Sequence, residues 1–289
     1  MLFLRAALAV CASALALSSC GGGAQRSPGP LRIVATTSTL ASLARGVTGS
    51  DVRSLVPVGA AAEDYQPSPR DIAALHDADV LVENGAGLEG WLAATVRNAS
   101  NPALRIVVAS DGLSVKEHNP HLWMDPVFAQ AYVAKIRDAA IAADPPRAET
   151  YRTNAAAYDR ALAALAARTA QAIATVPASR RVMIVTHDAF LYYAARFGLR
   201  IAGAIEIAPG AEPNPRHISE LARIARNEHV PAVFAEFGGN DRLAHALAAS
   251  VGGLKVATLY DDSVGTGGPA SSYIGMIDAD TATIVGALK

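Results

Sequence analysis

The chain has 289 residues, 51% of them hydrophobic, and a formal net charge of −1 from 25 basic and 26 acidic side chains. That balance excludes a global field for nucleic acid or an anionic membrane surface, so binding must come from a local site. The only cysteines are Cys11 and Cys20, which leaves the remainder of the chain without a thiol for a disulfide or a thiolate metal site.

The sequence opens with Arg5, an apolar run over residues 6–17, and then Leu17-Ser18-Ser19-Cys20. This is the pattern of a targeting segment, and its apolar run is shorter than the ~20 residues that span a bilayer. Leu17 to Cys20, followed by Gly21-Gly22-Gly23-Ala24, resembles the bacterial lipobox, in which the cysteine is acylated and becomes the mature N-terminus. The resemblance implies a signal peptide over residues 1–19, lipid on Cys20, and a membrane anchor on the extracytoplasmic face, at the cell surface or in the periplasm. Residues 20–30, rich in Gly, Ser and Pro, are expected to form a flexible tether.

Beyond the tether, short apolar runs at residues 33–37, 52–58, 80–83 and 106–109 alternate with helical patterns. Near-continuous apolar strands between helices predict a parallel sheet covered on both faces. The same rhythm resumes at 181–186, 201–207, 232–236 and 256–260, and closes with a helix from about Tyr273. This predicts an α/β protein of two lobes, residues 31–126 and 177–289, each a parallel sheet flanked by helices. A helical connector over 127–176 is expected to join them. Within it, Tyr151, Ala155, Tyr158, Leu162 and Leu165 fall at helical spacing in an Ala-rich stretch without Gly or Pro, preceded by Asp144-Pro145-Pro146 as a helix start. At 1.5 Å per residue, residues 147–175 would make a rigid rod of roughly 40 Å along both lobes. Such a rod should restrict hinge motion.

Open α/β sheets place ligands at the carboxyl ends of their strands. Four loops there carry polar residues: 57–69 with Glu63, Asp64 and Tyr65; Asn119-Pro120-His121-Leu122-Trp123-Met124-Asp125-Pro126; Thr186-His187-Asp188; and Tyr260-Asp261-Asp262-Ser263. Two imidazoles and two carboxylates from these loops can satisfy a divalent ion held between the lobes, where any one of them alone would be poorly solvated. Spacing alone does not separate Glu63 from Asp64, Asp262 from Asp261, or His121 from His118. His76, His217, His229 and His245 stand in helical or loop contexts and read as surface or satisfied residues. Tyr65 and Trp123 are placed to shape the cleft. Glu206 and Glu236 end strands of the second lobe, where a carboxylate can orient His187 from behind.

These segments resemble the metal-binding lipoproteins called cluster A-I solute-binding proteins, from about Leu31 to the C-terminus. That family carries D/E-Y-x-P-[ST]-P, then N/D-P-H-x-W-x-D-P, a His or Glu after the second lobe's first strand, and an Asp after its last, and all four occur here in order. Further matches are Asp79-Val80-Leu81-Val82-Glu83-Asn84-Gly85 with Leu88-Glu89, Ala211-Glu212-Pro213-Asn214-Pro215, and Tyr151-x-x-Asn154-x-x-x-Tyr158. The resemblance implies Glu63, His121, His187 and Asp262 as ligands of one divalent transition metal ion: zinc, manganese or iron. It implies a monomeric receptor that hands the ion to the permease and ATPase of an ABC importer. Glu63 stands where the family usually has His; since carboxylate and imidazole both bind such ions, the departure bears on which metal is preferred.

A reading from another class is a zinc-dependent extracytoplasmic hydrolase, with His121, His187 and Asp262 holding the metal and Glu63 as general base. Ligands drawn from separate lobes, and the lack of H-E-x-x-H, Gly-x-Ser-x-Gly or a phosphate loop, weigh against it. The loop bearing Glu63, with Gly59 and several alanines, is expected to pack little and to be the mobile part of the site.

Overall fold

Strands β1 (Ile33–Ala35), β2 (Arg53–Ser54), β3 (Val80–Glu83) and β4 (Arg105–Val108) form a parallel sheet of order β2-β1-β3-β4 in a computed structural model that describes residues 29–206 and 214–289. Strands β5 (Val182–Val185), β6 (Arg200–Ala204), β7 (Ala232–Glu236) and β8 (Lys255–Leu259) form a second parallel sheet with the equivalent order, β6-β5-β7-β8. The signal segment, Cys20, nearly all of the tether and Ala211-Glu212-Pro213 lie outside the described residues.

The apolar runs of the central strands β1, β3, β5 and β7 are continuous because both faces of each sheet are covered there. Ile33, Ala35, Val80 and Val82 point into one large core shared by the two lobes, while the alternating Val34 and Leu81 meet Leu75 and Leu92 on the outer face. In the second lobe Met183, Val185 and Phe234 enter the shared core, and Val182, Ile184 and Val233 pack outward with Leu221 and Leu247. The expected second strand is shorter than its apolar run. Leu55 and Val56 still donate to the carbonyls of Ala35 and Thr36, but Pro57 has no N–H to continue and the chain turns away.

The helices are α1 (Ser38–Thr48), α2 (Pro69–Asp77), α3 (Leu92–Ala99), α4 (Pro126–Ala143), α5 (Ala148–Ala174), α6 (Leu191–Phe197), α7 (Pro215–Asn227), α8 (Arg242–Val251) and α9 (Tyr273–Leu288). Helix α5 has 27 residues, so it spans roughly 40 Å. It buries Tyr151, Ala155, Leu162, Leu165, Thr169 and Ile173 along one stripe, against α1 and α4 on the first lobe's side and α9 on the second's. Asp144 marks its start: this residue caps α4, and its carboxylate accepts from Tyr151 Oη at 2.7 Å and from Arg147. Asn214 and Pro215, the described part of the Ala211 to Pro215 turn, form the N-cap and first turn of α7.

The strands' carboxyl ends meet between the lobes. In each sheet the connections reverse direction about the first strand, and that switch point is where such folds bind ligands.

Candidate metal centre

Each sequence-selected donor sits on a loop leaving a strand end: Glu63 between β2 and α2, His121 after β4, His187 after β5, and Asp262 after β8. The fold brings these four together, with one ligand-type atom from each lying within 4.8 Å of those of the others. His121 Nε2 is 3.3 Å from His187 Nε2, 3.4 Å from Asp262 Oδ1 and 3.5 Å from Glu63 Oε1. His121, His187 and Asp262 are buried and Glu63 is half-buried. Among the described residues, Glu63 Oε1 and Asp262 Oδ1 are buried without a hydrogen-bond partner. Two desolvated carboxylate oxygens that face two ring nitrogens form a donor set that a cation satisfies and neutral hydrogen bonding does not.

The loop of Asp261 and Asp262, although it leaves the second lobe's last strand, is held by the first lobe. Thr39 Oγ1 donates to the Asp262 carbonyl at 3.2 Å, Trp123 Nε1 to the Asp261 carbonyl at 2.9 Å, and Val264 N–H to Ser38 Oγ at 3.1 Å. Trp123 thus joins the lobes as well as lining the site. The Glu63 loop is better anchored than its Gly- and Ala-rich sequence suggests. Ala62 is fully buried, its carbonyl accepts from Trp91 Nε1 at 2.8 Å, and Gly59 N–H donates to Ser263 Oγ at 3.0 Å. Gly59 also meets Gly238 backbone to backbone: a Cβ on Gly238, whose φ is +86°, would lie 2.4 Å from the Gly59 carbonyl oxygen. At the far end of the loop, Asp71 of α2 accepts from Tyr65 Oη at 2.8 Å and from Ser68 N–H at 2.8 Å.

A profile described as "Zinc-uptake complex component A periplasmic" matches residues 33–287. The chain belongs to this family. It is 32% identical over 286 residues to the manganese-binding lipoprotein MntA of Halalkalibacterium halodurans, covering 96% of this chain and 95% of that protein. It is 31% identical over 263 residues to the iron-binding protein YfeA of Yersinia pestis, covering 88% and 85%. Among solved structures, the periplasmic zinc-binding protein TroA of Treponema pallidum superposes with a TM-score of 0.82 at 24% identity, over 90% of this chain and 99% of that one. These structural likenesses establish the fold.

As a member of the zinc-uptake component A family, the chain is a solute-binding protein and not an enzyme, and nothing supports the hydrolase reading. His187 is backed by two carboxylates. His187 Nδ1 faces Glu236 Oε2 at 3.2 Å and Asp261 Oδ2 at 3.8 Å. Burial draws the His187 ring toward neutrality, but Glu236 and the charges of Asp261 and Asp262 outweigh it and raise its pKa well above the usual histidine value. His121 shows the same contest: burial lowers its pKa, and contacts with Asp262 and Glu63 carry it upward. Burial pushes Asp262 up as well, but the His121 contact and the two imidazole charges hold it down at about 2. Burial, with Glu236 and Asp262 nearby, drives Asp261 well above the carboxylate range.

Of the alternatives open in the sequence, Asp64 and His118 are exposed and lie outside the group. Asp261 backs His187 instead of joining the four. Of the two carboxylates offered for that backing, the structure uses Glu236; Glu206 belongs to neither group of potential ligands among the described residues. His76, His217, His229 and His245 join neither group. One residue was given no role by the sequence reading. The side chain of Asn119 touches both His121 and the segment beside His187, and its only sequence signal is its place at the head of the Asn-Pro-His motif.

Proposed function

We propose that this protein captures one divalent transition metal ion between its lobes, through His121 Nε2, His187 Nε2 and the carboxylates of Glu63 and Asp262, and delivers it to an ABC-importer permease and its ATPase. The observation that carries this reading is the convergence of two partnerless buried carboxylate oxygens on two imidazole nitrogens. Glu63 is a ligand here, and so is not the general base that the hydrolase reading requires of it. Two nitrogen and two oxygen donors are compatible with manganese or ferrous iron, which we take as the cargo, and zinc is a tight competitor because the general affinity order favours it. Two relatives are named for manganese and iron, which supports that choice, while the family profile is named for zinc uptake.

The receptor acts as a monomer outside the cytoplasm, tethered through lipid on Cys20. Cys20→Ser should move it from the membrane fraction into the soluble one, and normal processing with continued membrane retention would sink the anchor. For the ligands, metal should raise the melting temperature of the wild type, because an ion that binds only the native state stabilises it. His121→Ala and His187→Ala should remove most of that rise. A full rise in either variant would show that the ion sits elsewhere. Elemental analysis of protein purified from its own host identifies the cargo, and zinc as the dominant metal would overturn the manganese or iron choice.

A further inference from the structure

We infer that Asn119 is the positioning residue of this site: one buried amide fixes which nitrogen of His121 faces the ion and ties that ring to the backbone beside His187. The inference rests on the metal-capture reading above.

Asn119 is 8% exposed, and each half of its amide has a partner the other half cannot serve. Its Oδ1, which can only accept, receives the His121 backbone N–H at 3.0 Å and the His121 ring Nδ1 at 2.9 Å. Its Nδ2, which can only donate, reaches the carbonyl of Asp188. A flipped amide would set oxygen against the Asp188 carbonyl and N–H against N–H, so the amide orientation follows from its partners. His121 Nδ1 therefore carries a hydrogen, and a neutral ring presents its Nε2 lone pair to the point where Glu63, His187 and Asp262 converge.

The backbone contact alone is an ordinary Asx turn and would be structural. The ring contact and the donor to Asp188 are not required by that turn. Asp188 follows His187 directly and is 69 residues from Asn119 along the chain, so a shift of this amide is felt at both imidazoles. The backbone adds a second tie to the second lobe, because the Asn119 carbonyl accepts from Tyr192 Oη of α6 at 2.8 Å. From the first lobe, Asn84 Nδ2 holds the Pro120 carbonyl at 2.9 Å, and Asn84 Oδ1 accepts from Tyr132 Oη at 2.6 Å. The amide thus stands where the two lobes grip the His121 segment from opposite sides.

The test compares Asn119→Ala and Asn119→Asp with wild type in the full chain. Affinities for zinc and manganese are measured by competition with a chromophoric chelator, release rates by mixing with excess chelator, and the His121 tautomer by nitrogen NMR of the metal-free protein at a pH above the raised histidine values, where the ring is neutral. Asn119→Ala should weaken both ions by about 10–100-fold, the range for loss of a group that orients a ligand. It should also lose the Nδ1–H tautomer of His121, which a general loss of loop stability would not alter. Asn119→Asp keeps the acceptor for the ring but sets oxygen against the Asp188 carbonyl, so it should retain the tautomer and release metal faster than wild type. It also preserves the turn if the alanine variant folds poorly. Asn119→Ala affinities within twofold of wild type, or an unchanged tautomer, would overturn the inference, as would an aspartate variant that releases at the wild-type rate. Failure of the wild type to bind either ion would instead overturn the functional reading.

Discussion

Affinity for metal should rise steeply with pH across the neutral range. The Nε2 atoms of His121 and His187 stand 3.3 Å apart, a distance at which two bare lone pairs repel unless a proton or an ion lies between them. Both rings have raised pKa values: burial opposes the shift, and Asp262 and Glu63 at His121, with Glu236, Asp261 and Asp262 at His187, overcome it. An ion needs both Nε2 atoms deprotonated, and each displaced proton changes affinity about tenfold per pH unit, or ~1.4 kcal/mol. With one or two protons displaced, the slope should lie between about tenfold and about a hundredfold per unit below the raised values. Stability of the metal-free form has the opposite sign. Histidines whose folded pKa is raised contribute stability that is full below the unfolded value of about 6.5 and is lost as pH climbs through the folded values. The melting temperature of the metal-free protein should therefore fall toward alkaline pH, while that of the loaded protein does not follow. Calorimetric titration in buffers of different ionisation heat counts the released protons. An affinity flat with pH, together with heats independent of buffer, would refute the reasoning.

Glu63→Gln removes a charge directed at the ion and should weaken binding more than tenfold, or ~1.4 kcal/mol, whereas Asp64→Asn at the exposed neighbouring position should leave it unchanged. Glu63→His should restore tight binding and shift preference toward zinc, and competition titrations that rank both ions as in the wild type would remove Glu63 from the ligand set. Asp71→Asn should destabilise the fold by ~1–3 kcal/mol, because it weakens a buried carboxylate bound by Arg53 at 3.0 Å, Tyr65 and Ser68. Burial pushes the Asp71 pKa up, but these partners hold it below the ordinary aspartate value, so its contribution is present above the unfolded pKa and fades as the solution is acidified through the folded one. A melting temperature equal to wild type at neutral pH would count against that anchor.

The central strands β1, β3, β5 and β7 were legible because each is apolar on two buried faces, and the long connector because nothing interrupts its helical spacing over 27 residues. The four residues proposed as ligands were legible as motif positions, since each follows a strand end, and the fold brings them together. The shell behind them was not. Ala204 of β6 and Phe234 of β7 both pair with Val185, so Glu206 and Glu236 stand equally far past that register, and only the turn of the His187 ring toward β7 and β8 selects Glu236. Asp261 and Asp262 are adjacent, and their division of labour depends on which side of the loop each carboxylate leaves. The anchoring of the Glu63 loop escaped composition altogether, because its partners, Trp91, Ser263 and Gly238, are brought in by the tertiary fold.

Anomalous diffraction from crystals of the manganese-loaded protein, collected on both sides of the metal edge, tests the central claim most directly. It should place a single ion bound by His121 Nε2, His187 Nε2 and the carboxylates of Glu63 and Asp262, with His187 Nδ1 still facing Glu236. An ion held by the His187, Glu236 and Asp261 group, or one bound without contact to Glu63 or His121, would contradict it.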